Sequence, residues 1–450
     1  MNRRPGPKRG KLSNLVATGR SAISKGSGAR EHLTDSVILA IGYVAQLILQ
    51  MGYFLILTRM LGAERFGQFA AALAAINLVS PFAGIGYSEV ALIRVSQDRE
   101  ETGLWLANSV VATLALGIPL AIALALICSQ TGSGNLIEWH LMLGLAICEL
   151  ALVRACLAIA RIRQARREIK GTSAINVSVS ATKAIVAMLL WMSGNDSLLM
   201  LVIILDICFT PVLLYFFVSL ARQSSATQVS WTALRSNFKL ALSFTTGVFS
   251  KAVYTDMDKL FLARWTTSEI VGTYAAGYKI LSLAFLPIRA ILEATFPKQV
   301  AYAAKSPSDC LKFSSRVLGV NLLIACCLSA CIYLLAPWAT VLLGEDFNDS
   351  VDVLRVGCVL PILQVLHYSM GNYLSAIGRQ TFRATAQVTV VIAYVAVAWF
   401  LIPRYSWHGA IWTSLSCEFL LVLLLSTGCF ASFFRDDPPT PQTLSEQGEA

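Results

Sequence analysis

Apolar runs of roughly twenty residues follow one another along almost the whole chain, separated by short polar segments. A helix needs about 20 predominantly apolar residues to cross a ~30 Å hydrocarbon core. Twelve runs meet that length, centred on 37–58, 66–90, 104–128, 139–160, 173–193, 198–219, 240–263, 270–295, 317–337, 353–375, 384–402 and 408–430. The pattern predicts an all-α polytopic membrane protein with twelve transmembrane helices. Little remains outside the runs. Residues 1–34 form a basic tail rich in Gly, Ser, Arg and Lys, and 433–450 a second polar tail; both have the composition of disordered segments. The polar stretch 221–238 divides the chain into 35–220 and 239–432, with six runs on each side.

The two halves share a sentence. Leu57 to Ala71 reads LTRMLGAERFGQFAA and Leu262 to Ala276 reads LARWTTSEIVGTYAA. Both fit L-x-R-x4-E-x2-G-x-[Phe/Tyr]-A-A at one offset, 205 (264 minus 59). Ala and Leu coincide easily in such a chain, whereas Arg, Glu and Gly at fixed spacing do not. Each stretch covers the end of a half's first span, a short turn and the start of its second. There Arg59 and Arg264 can snorkel to the interface, Glu64 and Glu269 suit a helix N-terminus, and Gly67 and Gly272 allow close helix contact. An even number of spans per half makes the repeat parallel, with a pseudo-twofold axis along the membrane normal. Two such six-helix lobes enclose a cavity that can open to either side, which is the architecture of a transporter.

Composition agrees with this picture: 56 % apolar and 14 % charged residues, with a mean hydropathy of +0.64. The net charge of +10 raises the question of nucleic acid, and the placement of the basic residues answers it. With the N-terminus in the cytoplasm, the outer loops hold only Arg59, Arg65, Arg264 and Arg404, while the inner segments collect the rest of the loop cations. That asymmetry is the positive-inside bias and predicts both termini in the cytoplasm. Anionic membrane lipid, not nucleic acid, is the expected partner of the basic tail. Seven of the nine tryptophans fall at predicted outer helix ends and Trp105 and Trp231 at inner ones, as interfacial indoles should. The eleven cysteines have no C-x-x-C or metal-ligand spacing, so they read as small apolar core residues, with no disulfide framework, metal or cofactor expected. The N-terminus lacks a short apolar region with a cleavage site, which makes the first span an uncleaved anchor.

Two blocks of the sequence are familiar. LTRMLGAERFGQFAAALAAINLVSPFAGIGYSEVALIR and TDMDKLFLARWTTSEIVGTYAAGYKILSLAFLPIRAILEATFPKQ resemble the polysaccharide-biosynthesis (Wzx-type) oligosaccharide flippases of the MOP exporter superfamily. The resemblance rests on the R-x-L-G-x-E-x-[Phe/Tyr]-G turn after the first span, the Asp258-Lys259 pair late in the seventh, and the G-x-Y-x-x-A-Y-K-like start of the eighth. In length and span count it covers about residues 35–432; the first half lacks a counterpart of Asp258-Lys259. The resemblance implies a MATE-like fold, no enzymatic activity, and movement of a polyprenyl-diphosphate-linked oligosaccharide across a bacterial inner membrane for exopolysaccharide, capsule or O-antigen synthesis. A polysaccharide polymerase and chain-length machinery are the partners it implies.

Ionisable side chains deep in a span are costly and face a cavity or a partner. Lys251, Thr255, Asp258 and Lys259 share one face of the seventh span by helical spacing, and the eighth adds Lys279 and Arg289 around Pro287. Arg154 and Lys183 lie within the fourth and fifth spans, and Asp206 and Glu418 near the middle of the sixth and twelfth. Lys251, Lys279, Arg289, Lys259, Arg154 and Lys183 are therefore candidates to bind a diphosphate by charge. The competing reading is internal pairing, Asp258 with Lys251 or Lys279, and Glu149 with Arg154 or Lys183. Asp256, Asp258, Asp206 and Glu293 are candidates for ion coupling, since the proton affinity of a buried carboxylate depends on its surroundings; structural pairing is the alternative for each. Glu345, Asp346, Asp349 and Asp352 read as a solvated outer loop, and His367 alone of the four histidines as a cavity residue. Pro and Gly at 80–86 and 116–119, with Pro211, Pro287 and Pro361, mark places where helices can bend.

Three other functions fit parts of the pattern. An exporter of small organic cations shares the architecture but wants an acidic or aromatic cavity. A membrane-embedded polymerase or ligase needs an aqueous loop with catalytic residues, and neither that nor a phosphate-binding Gly loop is present. A twelve-span sugar facilitator would account for Asp98-Arg99 but lacks the flanking glycines.

Overall fold

The computed structural model describes residues 11–131, 138–224 and 227–433; the expected tails at 1–10 and 434–450 lie outside them. Every regular element among the described residues is helical. Among the described residues, nine stretches are long and apolar enough to cross a membrane when the bent pair Ser350–Gly357 and Leu360–Ala376 is taken as one. Two of these, Ile41–Phe82 and Gln380–Ala431, hold 42 and 52 residues, about twice a bilayer at 1.5 Å per residue. Each is broken once by a left-handed residue, Gly62 (φ 67°) and Ser406 (φ 54°), and so forms two spans. The seventh span, Phe238–Trp265, completes the twelve; its lysines and aspartates make it too polar to register by hydropathy. Helix begins at Lys11, in place of the irregular N-terminal tail expected there.

Thr102–Thr131 is the third span, Trp139–Ala165 the fourth, Ile169–Met192 the fifth and Leu198–Ala221 the sixth. Ser268–Ala303 is the eighth, interrupted at Phe285, Pro307–Leu335 the ninth and the bent pair the tenth. The proline and glycine signals divide in two groups. The chain leaves its helix at 80–86, where Ile85 and Gly86 have positive φ, and Pro287 and Pro361 open the second segment of a broken span. Pro119 and Pro211 sit inside unbroken helices, where their missing hydrogen bonds do not end the span. The cysteines also divide. Four are buried, but Cys326, Cys327 and Cys331 are exposed on the ninth span, so the expectation of core packing fails there; a small weakly polar side chain suits a lipid-facing surface as well.

The repeated motif forms the seam between the lobes. A methyl group added to Gly67 would stand 1.7 Å from the carbonyl oxygen of Ser268, and one added to Gly272 would stand 2.0 Å from that of Ala63. Positions 63 and 268 are related by the same offset of 205 as 67 and 272. Each half therefore presents to the other the position that the other presents to it, which is the reciprocity of a contact across a twofold axis. Phe66 packs edge-on against Phe54 and Phe347, with ring centres 5.8 and 5.9 Å apart. Arg59 adds a tie, donating from Nε to the Leu342 carbonyl at 2.9 Å and from a terminal nitrogen to that of Val341. The lobes are shut at this end.

Candidate functional site: a cationic cavity between the lobes

Behind the seam lies a cavity of about 500 Å³. It shares Gln46, Ser80, Arg154, Leu157 and Asn176 with a vestibule of about 320 Å³ at the far end. Toward the seam the walls are aromatic and aliphatic, from Tyr53, Phe54, Leu57, Phe66 and Phe69. Toward the vestibule they turn polar.

Six charged side chains line the cavity: Arg154, Lys183, Lys259 and Lys279 against Glu149 and Asp256. Their placement follows from local structure. Residues Ile147–Val153 form a π-helical segment within the fourth span. Its i→i+5 bonding, a feature recurrent at functional sites, lets Glu149 and Arg154 face one cavity although five positions apart would diverge on an α-helix. Lys183 pairs with Glu149, and Arg154 donates to the Ser80 hydroxyl. Lys259 is held by Asp258 at 3.1 Å and Asp256 at 3.6 Å, donates to the Thr255 carbonyl at 2.6 Å, and lies 4.7 Å over the Tyr278 ring. Asp258 also accepts the Tyr274 hydroxyl at 2.6 Å. Lys279 is exposed to the cavity, with no hydrogen bond or ion pair to its ammonium group among the described residues.

The sequence-derived candidates thus separate. Arg154, Lys183, Lys259, Lys279 and Asp256 come together in one space. Asp258 stands directly behind them, and its partner is its neighbour Lys259, not the Lys251 or Lys279 named in the competing reading of internal pairing. Lys251, Arg289 and Glu293 lie outside the cavity wall. Arg289 pairs with Glu293 at 2.8 Å along its own helix, Lys251 feels both charges, and Arg289 feels Tyr43 of the vestibule wall; this group borders the open end. Asp206 faces Gly144, between the sixth and fourth spans, where one carboxylate oxygen is buried without a partner. His367 is buried against Glu418 and not in the cavity. Sequence reasoning passed over Tyr274 and Tyr278, although both belong to the motif that begins the eighth span. It passed over Gln46 and Asn176 too, because neutral polar residues in a span leave no signal of direction.

The Lys183–Glu149 pair gives a direct test of wall against scaffold. Both side chains are about one-fifth exposed (20 % and 19 %), so removing Lys183 alone leaves a mostly buried carboxylate unpaired, at about 1–3 kcal/mol. Lys183→Gln is expected to lower the amount of folded protein in the membrane severalfold, and Lys183→Gln with Glu149→Gln to restore it. Equal abundance of the single and double variants would show that the pair contributes no stability.

Comparison with known proteins places this geometry. An inward-facing multidrug-resistance MATE transporter of the MOP superfamily superposes with a TM-score of 0.67 at 14 % identity, over 87 % of this chain and 96 % of that one. The lipid II flippase MurJ, in an inward closed conformation, also gives 0.67, at 13 % identity over 88 % and 87 %. An outward-facing MATE transporter of the MOP superfamily gives 0.58 at 14 %, over 89 % and 96 %. At such identities the likeness is one of fold: this chain has the two-lobed fold of these multi-span transporters, with the seam end shut. Comparison with curated protein sequences gives no match. The sequence profile described as polysaccharide biosynthesis protein matches residues 33–303, more than half of the chain. This membrane protein therefore belongs to the polysaccharide biosynthesis protein family.

Proposed function

We propose that the protein is a flippase that carries a lipid-diphosphate-linked oligosaccharide from the cytoplasmic to the outer leaflet of a bacterial inner membrane. One observation supports this above the others: the cavity walls carry four cations against two carboxylates, and the Lys279 ammonium group has no hydrogen bond or ion pair among the described residues. A diphosphate bears about two negative charges and accepts charge-assisted hydrogen bonds from Arg and Lys without catalytic geometry. The adjoining vestibule offers Ser88, Thr113, Gln164 and Thr172, the neutral donors and acceptors that sugar hydroxyls require. An excess of positive charge disfavours an organic cation as cargo. The family and the structural neighbours concern transport, and the cavity residues serve here to hold and release.

The experiment is reconstitution in liposomes with a fluorescent polyprenyl-diphosphate oligosaccharide. Label moved across the bilayer faster than in protein-free vesicles is the expected result; transport of organic cations without lipid flipping would favour the drug-exporter reading. The direction of transport requires the orientation set by the basic loops. Reporters fused after residues 30, 165, 230, 305 and 440 are expected to read cytoplasm, and after 133, 195 and 345 the outer side. An outer signal at 230 would overturn the two six-span halves.

A further inference from the structure

Glu418 and His367 form a buried acid–base pair with no part in the cavity. Glu418 is 1 % and His367 6 % exposed, midway along the twelfth and tenth spans. Nδ1 of His367 lies 2.5 Å from Oε2 of Glu418, too close to be indifferent, yet neither atom makes a well-directed hydrogen bond. The second carboxylate oxygen accepts the hydroxyl of Tyr254, from the seventh span. If only packing were needed here, apolar side chains would serve at lower cost. Ionisable groups deep in a bundle are functional features by default, and these two stand within reach of one shared proton.

The surroundings connect the pair to elements that can move. The His367 ring is 4.2 Å from that of Tyr368, which stacks at 5.5 Å on Phe285, the residue at which the eighth span is interrupted. The tenth span, which carries His367, is bent by 42°. On the seventh span, Tyr254 is two positions from Asp256 of the cavity wall. The other titratable groups that face the pair are Tyr278 on the eighth span and Cys417 beside Glu418. Tyr394 of the eleventh packs on Tyr254 at 5.8 Å. Arg289, Glu293 and Arg383 act on the Tyr368 side, and Asp258 with Lys259 close the far side of the tyrosine cluster.

We propose that Glu418 and His367 are a proton-exchange site that sets the balance between open and shut lobes, through Tyr254 to the seventh span and through Tyr368 and Phe285 to the break in the eighth. The site takes a proton from water and returns it to water, with no other co-reactant. The inference rests on the alternating-access reading of the lobes, not on the identity of the cargo.

The test uses the full chain without cargo. With 15N-labelled histidine, the four resonances assigned by single His→Gln variants, the His367 ring signal is expected to depend on pH, with a midpoint that moves in Glu418→Gln. In parallel, hydrogen exchange of the seam peptides 57–71 and 262–276, corrected for intrinsic rates at each pH, is expected to change about five- to hundredfold across that midpoint. The change should vanish in Glu418→Gln and His367→Gln. Tyr254→Phe is the gentler variant: it should keep the titration and lose most of the seam response. Absence of titration, or an unaltered seam response in all three variants, would overturn the proposal. Because no cargo is present, failure here leaves the flippase reading untouched, and failure of lipid flipping leaves this result standing.

Discussion

Gly67→Val and Gly272→Val are each expected to hold the seam open. A side chain at either position collides with backbone, not with a flexible neighbour: a Cβ would stand 1.7 Å from the Ser268 carbonyl in one case and 2.0 Å from the Ala63 carbonyl in the other. Relief requires the second and eighth spans to separate, and overpacking of this kind costs about 1–3 kcal/mol or more. Since ~1.4 kcal/mol is a factor of ten in an equilibrium, the shut population should fall by about ten- to a hundredfold. A cysteine at Ala70, which lines the cavity behind the seam, reports this. Labelling by an impermeant maleimide from the seam side should accelerate by about the same factor over the chain with glycine, while protein abundance in the membrane changes little. Ser or Ala at these positions should give intermediate rates. Unchanged labelling in both valine variants would mean that the glycines merely occur near the seam and do not make it.

The same pair shows what could be read from the sequence. The offset of 205 marked both glycines as equivalent places of close helix approach, because Gly and Arg at fixed spacing are rare coincidences in an apolar chain; that they meet each other is visible only in the fold. Helix length, the two lobes and the cavity-lining roles of Lys259, Lys279, Arg154 and Lys183 followed from spacing and depth. Rotation about the helix axis did not. Lys251 and Lys259 are eight residues apart and share a nominal face, but the seventh span turns its outer half to the cavity and leaves Lys251 near Arg289 and Glu293. Asp206 points between two helices of its own lobe because Gly144 leaves it room. The Glu418–His367 contact joins spans far apart in sequence, with no motif around either residue, and only packing brings them together.

Loss of the Lys279 charge carries the second large effect. Its ammonium group is the cavity cation that bonds to nothing among the described residues, so removing it leaves no carboxylate stranded, unlike Lys183 or Lys259. A charge-assisted hydrogen bond is worth about 1.5–3 kcal/mol, which corresponds to roughly ten- to a hundredfold in affinity. Lys279→Gln should therefore weaken diphosphate binding by that factor with normal abundance and an intact seam. Lys279→Arg should retain most of the affinity if charge is what binds. Equal loss in both would assign the position to packing, and no loss in either would exclude it from the binding surface.

The central claim is that the inter-lobe cavity binds a lipid-linked diphosphate through its cations. Equilibrium binding of a fluorescent polyprenyl-diphosphate oligosaccharide to the purified chain, with unlabelled inorganic pyrophosphate and with tetraphenylphosphonium as competitors, tests it directly. Saturable binding displaced by pyrophosphate, unaffected by the organic cation and about ten- to a hundredfold weaker in Lys279→Gln, is the result predicted. Binding that pyrophosphate leaves unchanged, or displacement by the cation instead, would contradict it.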